Sequence, residues 1–275
     1  MAWFPRSPVV PVLRFHGPIG MATPLRPGLS ITAVAAGIER AFRMKNAPAV
    51  AIAVNSPGGS PVQSHLIMRR IRALAEETGK PVYAFCEDVA ASGGYLLALA
   101  GDEIYADESS IVGSIGVITA GFGLDRLIEK AGIERRVYTA GAHKMSLDPF
   151  QPQKAEDVER LKAIQRDVHD GFIALVRERR GSRLKGEAGD LFSGDIWSGR
   201  GAVANGLVDG IADVRGKMRE LHGAKIRLEL VSFERGWLRR RLGMAGLGGE
   251  ETRVGLVGPH GLASDIVSAI EARAL

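Results

Sequence analysis

Short continuous apolar runs along this chain alternate with stretches in which apolar residues recur every three or four positions. Val9–Phe15 is a β-rich run that ends at Gly17. Ile31, Val34, Ala35, Ile38 and Phe42 then follow helical spacing behind Ser30, a residue type that caps helix N-termini. Ala49–Val54, between Pro48 and Asn55, is apolar at every position, the pattern of a strand covered on both faces. Val62, Leu66, Ile67, Ile71 and Leu74 predict a second helix, Val82–Cys86 another buried strand and Tyr95–Ala100 a small apolar helix. Glu103–Ala106, Ser114–Thr119 and Arg136–Thr139 read as strands, and Leu124–Ala131 as a short helix stopped by Gly132. A long amphipathic helix follows, with Val158, Leu161, Ile164, Val168, Phe172, Ile173 and Val176 on its predicted buried side, and Gly201–Leu207 reads as a last short helix. Strand and helix patterns alternating at this spacing predict parallel βα units in a single α/β domain.

Composition narrows this without redirecting it. Of 275 residues, 45% are hydrophobic and 24% charged, which excludes wholesale disorder and a coiled coil. The 35 glycines are dispersed, so they mark turns and close backbone approaches rather than a linker. One cysteine, Cys86, excludes an internal disulfide and a multi-cysteine metal site. The net charge of +5 is local, because residues 215–241 hold nine Lys/Arg against three acids and the rest of the chain sums to −1. That imbalance gives no general argument for nucleic acid. It does suggest a division into a core, residues 1–221, and a basic C-terminal arm, residues 222–275. Within the arm, Trp237, Leu238 and Leu242 lie beside Arg239, Arg240 and Arg241. Residues 234–245 are therefore expected to make weak peripheral contact with an anionic membrane or an acidic partner, a solvated arm or a subunit contact being the plainer alternative. No apolar run reaches about 18 residues, so no transmembrane helix is readable and the default compartment is the cytoplasm, with at most peripheral contact at the inner membrane.

The chemistry concentrates in glycine-serine loops. No phosphate-gripping P-loop, H-E-x-x-H or G-x-S-x-G is present. Three loops instead follow or adjoin predicted strands: Ser56-Pro57-Gly58-Gly59, Ala91-Ser92-Gly93-Gly94-Tyr95 and Gly113-Ser114-Ile115-Gly116. Loops at the carboxyl ends of parallel strands line one crevice, and glycines let a substrate approach the main chain. Ser92 stands out: small neighbours leave its hydroxyl uncrowded, and the helix behind it offers N–H groups to a developing oxyanion. A capping serine is the plain alternative. A serine nucleophile needs a base. His143 is the histidine best placed by the pattern, and Lys144 beside it has Met145, Leu147 and Phe150 close by. A lysine enclosed by apolar groups can act as a neutral base, whereas a solvent-facing loop lysine cannot. Ser114 could hydrogen-bond such an amine or serve only as a turn residue.

Taken together, Asn55-Ser-Pro-Gly-Gly59, Ala90-Ala-Ser-Gly-Gly-Tyr95, Gly113-Ser-Ile-Gly-Val117, the loop around Lys144 and the run from Gly199 to Asp209 resemble the signal peptide peptidase A family of Ser-Lys peptidases. The resemblance spans roughly residues 8–215 and implies a fold of the crotonase and caseinolytic protease kind, with stacked βα units. It implies that Ser92 is the nucleophile, Lys144 the base, Gly59 and Gly93 the oxyanion donors, and Ser114 the residue orienting the lysine. The implied activity is a serine endopeptidase acting on unfolded or apolar peptides such as signal-peptide remnants, without metal or other cofactor. Members of the family usually carry an N-terminal membrane anchor, and none is readable here. One catalytic unit, rather than a duplicated form, implies a ring-like homo-oligomer. Two other readings stand beside this one. A crotonase-like acyl-CoA hydratase, isomerase or thioesterase would need a carboxylate base, and the glycine loops contain no acid. A non-catalytic scaffold would work through the basic arm.

Overall fold

The computed structural model describes residues 8–20, 28–141 and 143–233. In chain order the elements are β1 (Val9–His16), α1 (Ile31–Arg43), β2 (Val50–Ser56), α2 (Pro61–Thr78), β3 (Val82–Ala91), α3 (Gly93–Ala98), β4 (Glu103–Ala106), β5 (Ile111–Gly113) and α4 (Asp125–Lys130). They continue with α5 (Ala155–Arg180), α6 (Ala188–Leu191), β6 (Ile196–Ser198), α7 (Gly199–Ala204), β7 (Gly210–Ile211), α8 (Val214–His222) and β8 (Arg227–Leu230). Among the described residues, eight strands form one sheet: six in the order β6-β5-β3-β2-β1-β8, with β4 branching off β3 and β7 pairing with β4. All of its pairings are parallel except β5 with the edge strand β6. The α/β class read from the alternating pattern is the class observed.

The period of two along each strand explains the continuous apolar runs. Leu13, Phe15, Val50, Ile52, Val54, Val82, Ala84 and Cys86 face one layer, while Val10, Val12, Ala51, Ala53 and Phe85 face the other. The first face packs under Val34, Ile38 and Phe42 of α1, Ile67 and Ile71 of α2, and all of α3. The second face packs against Met218 of α8 and Ile226. Each such fully buried aliphatic or aromatic side chain contributes about 1.5–3 kcal/mol. Ser30 caps α1 by accepting the Ala33 N–H, and Ser60 caps α2 by accepting the Gln63 N–H.

β3 is the longest strand, and its length matters. β4 pairs with its first half, at Tyr83–Cys86, and β5 with its last three residues, at Val89–Ala91. β2, β3 and β5 therefore lie side by side and end at one edge, where the three glycine-serine loops emerge.

Four expectations need correction. Ser114–Thr119 is not a strand: the strand lies just upstream, and Ser114 leaves it at a φ of 52° that no ladder can continue. Among the described residues no strand pairs with Arg136–Thr139, and Tyr138 is 91% exposed. In α5 the predicted apolar face is buried only in part: Phe172 and Val176 are buried, whereas Ile164 is 60% exposed. Finally, β8 lies beyond residue 221 and pairs with β1, so the sheet reaches into the segment read as an arm. The remainder of that segment, with the basic stretch 234–245, lies outside the described residues.

Candidate active site

Ser92 follows Ala91 at the end of β3 with φ 52° and ψ −123°, a backbone region that residues with a Cβ rarely enter. Its N–H donates to the Gly113 carbonyl at 2.8 Å, and its side chain makes no capping bond to α3. Ala91 and Gly113 are register partners, and Ser114, like Ser92, has φ 52°. The two serines leave adjacent strands at equivalent positions. Ser114 is fixed there by its N–H, which donates to the Asp195 carbonyl at 2.7 Å.

The first loop closes over the second. A Cβ placed on Gly58 would lie 2.7 Å from the Gly93 nitrogen and 2.9 Å from Ser92 Cβ. One placed on Gly59, at φ +139°, would lie 2.2 Å from the Ile19 carbonyl oxygen. One on Gly93 would lie 2.4 Å from Ser64 Oγ and 3.4 Å from the Gly59 nitrogen. Glycine at these positions is what lets three main chains meet. The Gly59 and Gly93 N–H groups consequently sit close together beside Ser92, and neither donates to a partner among the described residues. Beneath, Ser56 Oγ accepts the Gly58 N–H at 3.1 Å, and Asn55 bridges to β3 by donating to Asp88 and accepting the Val89 N–H.

Ser92, Gly59 and Gly93 line one cavity of about 270 Å³. Its walls are mainly apolar: Val62 and Leu96 on one side, Gly116 and Val117 on another, Val168, Phe172 and Leu175 from α5 on a third. His65 and Asp167 also line it. The sequence reading singled out neither. His65 had a signal, since it stands in the first turns of the helix that starts at Ser60 behind the glycine pair. Asp167 had none, because it comes from α5, some 75 residues further along the chain.

Lys144 and His143 are not among the residues lining that cavity. Both are exposed, in the turn 143–147. The apolar enclosure expected around Lys144 is absent within one chain: Met145 and Leu147 line a different cavity, of about 560 Å³, with Phe122 and Leu161. The surrounding excursion, residues 118–138, exposes Ile118, Phe122, Leu127, Ile133 and Tyr138.

The run Gly199–Asp209 serves the frame of the site. Arg180, at the end of α5, has a side chain 1% exposed and grips Asp209 with two bonds of 2.8 and 3.0 Å. Asp209 also accepts the Ile104 N–H at 2.7 Å. Burial opposes the charge on Asp209, but Arg180 and the Ile104 N–H hold its carboxyl below the ordinary carboxylate range. Tyr95, three residues after the nucleophile candidate, donates its hydroxyl to the Leu207 carbonyl at 2.7 Å. Among the described residues no cluster of His, Cys, Asp and Glu could hold a metal ion, and no helix is long and apolar enough to cross a membrane.

Comparison with known proteins agrees with this architecture. The model of peptidase family S49 matches residues 75–225, more than half of the chain, so the chain belongs to that family. The expected kinship with the signal peptide peptidase A group is borne out by a relative named "Serine protease SPPA, chloroplastic" from Arabidopsis thaliana. It is 33% identical over 206 residues, 73% of this chain and 29% of the relative. "Protease 4" of Salmonella typhi is 34% identical over 60% of this chain and 26% of its own length. A Brucella abortus protein named "Na(+)/H(+) antiporter NhaA" is 52% identical over 97% of this chain, which amounts to 36% of that longer protein. The chain thus spans about a third of the length of these relatives.

Proposed function

We propose that this chain is a serine endopeptidase of the Ser-Lys type, cutting extended, unfolded or apolar peptides such as signal-peptide remnants, on a fold akin to the crotonases and caseinolytic proteases. The observation that carries it is Ser92, held in a strained conformation at a strand end beside two N–H groups that have no partner among the described residues, and at the wall of a mainly apolar cavity. In this reading Ser92 Oγ attacks the scissile carbonyl and gives its proton to the Lys144 amine, while the Gly59 and Gly93 N–H groups stabilise the oxyanion. The amine then protonates the leaving nitrogen as the C–N bond breaks. A water, deprotonated by the same amine, hydrolyses the ester on Ser92. Ser114, beside Ser92, orients the lysine. The backbone of Val117 and Ile118 has no partner among the described residues, and it offers an extended peptide a strand to lie against.

Lys144 lies outside the Ser92 cavity of its own chain, in an exposed turn that follows an excursion rich in exposed apolar side chains. The proposal therefore includes a second copy, whose Lys144 completes the site as the excursion packs between subunits. His65 supports a second reading, a Ser-His pair within one chain, because it lines the same cavity. Asp167 is the carboxylate that an acyl-CoA hydratase or thioesterase would need.

Intact-mass measurement after a fluorophosphonate probe separates these readings. One adduct is expected on the wild type and none on Ser92→Ala. Labelling should fall by about a hundredfold or more in both Lys144→Ala and Lys144→Arg, since arginine stays charged, and persist in His143→Ala. Loss in His65→Ala with retention in Lys144→Ala would establish the Ser-His pair. Acyl-CoA turnover untouched by Ser92→Ala would overturn the peptidase reading.

A further inference from the structure

We propose that Gln165 and His169 of α5 are positioning residues, which hold segment 115–119 at the working distance from Ser92 for an extended substrate. The inference rests on the peptidase reading above and adds two residues that the reaction scheme does not use.

Segment 115–119 belongs to no strand or helix, yet it supplies Gly116 and Val117 to the cavity beside Ser92. Within the segment, the main chain is bonded only from the Gly116 N–H to the Ser114 carbonyl. Two side chains tie it to α5. Gln165 Nε2 donates to Thr119 Oγ1 at 3.1 Å, and His169 Nε2 lies 3.0 Å from the Ile115 carbonyl oxygen. Positions 165 and 169 are one helical turn apart on the same face, and their partners are four residues apart along the segment. A helix face therefore serves as a rail for an otherwise unladdered strip of chain. Among the described residues these are the only hydrogen bonds that join the strip to another element.

Neither Gln165 nor His169 lines the Ser92 cavity, but the intervening residues Asp167 and Val168 do. One wall of the cavity is thus α5 and another is the strip that α5 holds, so the two bonds set the separation between them. The Ile115 carbonyl can only accept, which places the proton on His169 Nε2. Neutral and protonated imidazole both keep that proton. Among the described residues no other side chain donates to the Ile115 carbonyl.

The test compares His169→Leu, His169→Gln and Gln165→Leu with wild type on a fluorogenic peptide of six or more residues and on a small activated ester. His169→Leu should lower kcat/KM for the peptide about tenfold, mainly through KM, while ester turnover and fluorophosphonate labelling of Ser92 stay within about twofold. His169→Gln, whose amide reaches the same carbonyl, should recover most of the loss. The ratio of the variants should be the same at acid and neutral pH. Thermolysin cutting at Ile118 and Phe122 should be several-fold faster in His169→Leu, a readout that needs no catalysis. Unchanged peptide kinetics, an equal fall on peptide and ester, or unchanged thermolysin cutting would each overturn the tether. Absence of Ser92 labelling in the wild type would instead count against the peptidase reading, and the thermolysin comparison would still decide the tether.

Discussion

Ser92 carries a cost that its neighbours impose. A residue with a Cβ at φ 52° and ψ −123° is strained by about 1–3 kcal/mol. Alanine retains the Cβ and the strain, whereas glycine relieves it. Ser92→Gly should thus be more stable than Ser92→Ala by about 1 kcal/mol in urea or thermal unfolding, although both lose the hydroxyl. Equal stabilities would mean that the surrounding loops do not enforce the turn. At this scale the sequence was informative about chemistry and blind to conformation. Ser92 stands out in the sequence because small residues flank its hydroxyl at a strand end, whereas Gly59 and Gly93 enter through the family resemblance. The φ angles that separate a poised hydroxyl from a capping one arise from the Gly58–Gly93 approach, a contact between loops some 35 residues apart. His65 was passed over because a polar residue on a helix ordinarily faces solvent, and here the solvent-facing side borders the cavity.

Among the elements, α5 shows what an amphipathic stripe can and cannot say. The spacing from Val158 to Val176 identifies one face of a helix, but not what lies opposite it. Phe172 and Val176 meet the core, while Ile164 and Val168 extend beyond it alongside segment 115–119. The packed end is locked by the Arg180–Asp209 pair. Removing the carboxylate leaves a guanidinium buried without its counter-charge, so Asp209→Asn should lose about 3–5 kcal/mol at neutral pH. The pH dependence has a definite sign. Asp209 ionises more readily folded than unfolded, so its contribution is complete above the unfolded value near 3.9 and is lost as pH falls through the lower folded value. The gap in stability between wild type and Asp209→Asn should therefore be constant from pH 7 to about 5 and narrow below about 4, as read by denaturant titration at each pH. A gap independent of pH would detach the pair from α5 anchoring.

For the molecule as a whole, one edge of the sheet gathers the three glycine-serine loops because β2, β3 and β5 are neighbours and parallel. That much followed from the alternating pattern, since parallel strands must return to the same edge. The pattern could not place Lys144, which lies in an exposed turn outside the ladders. If the base comes from a second copy, two inactive chains can repair each other. Ser92→Ala and Lys144→Ala, unfolded and refolded together, should regain peptidase activity to about a quarter of wild type, because mixed neighbours pair one intact serine with one intact lysine. Either variant refolded alone should stay silent. Sedimentation of active wild type purely as a monomer, or no recovery on mixing, would exclude the shared site.

The pairing of β8 with β1 sets an order of events during synthesis. Among the described residues β1 is the earliest strand and β8 the latest, more than 200 residues further on, yet they are neighbours in the sheet. Until Arg227–Leu230 leaves the ribosome, one side of β1 presents bare N–H and C=O groups, and Val10 and Val12 lack part of their cover. From the emergence of β1 until that of β8 the nascent chain therefore displays a sticky strand edge that Arg227–Leu230 closes. A chain stopped near Leu221 would keep that edge permanently, exposed to pairing with other chains.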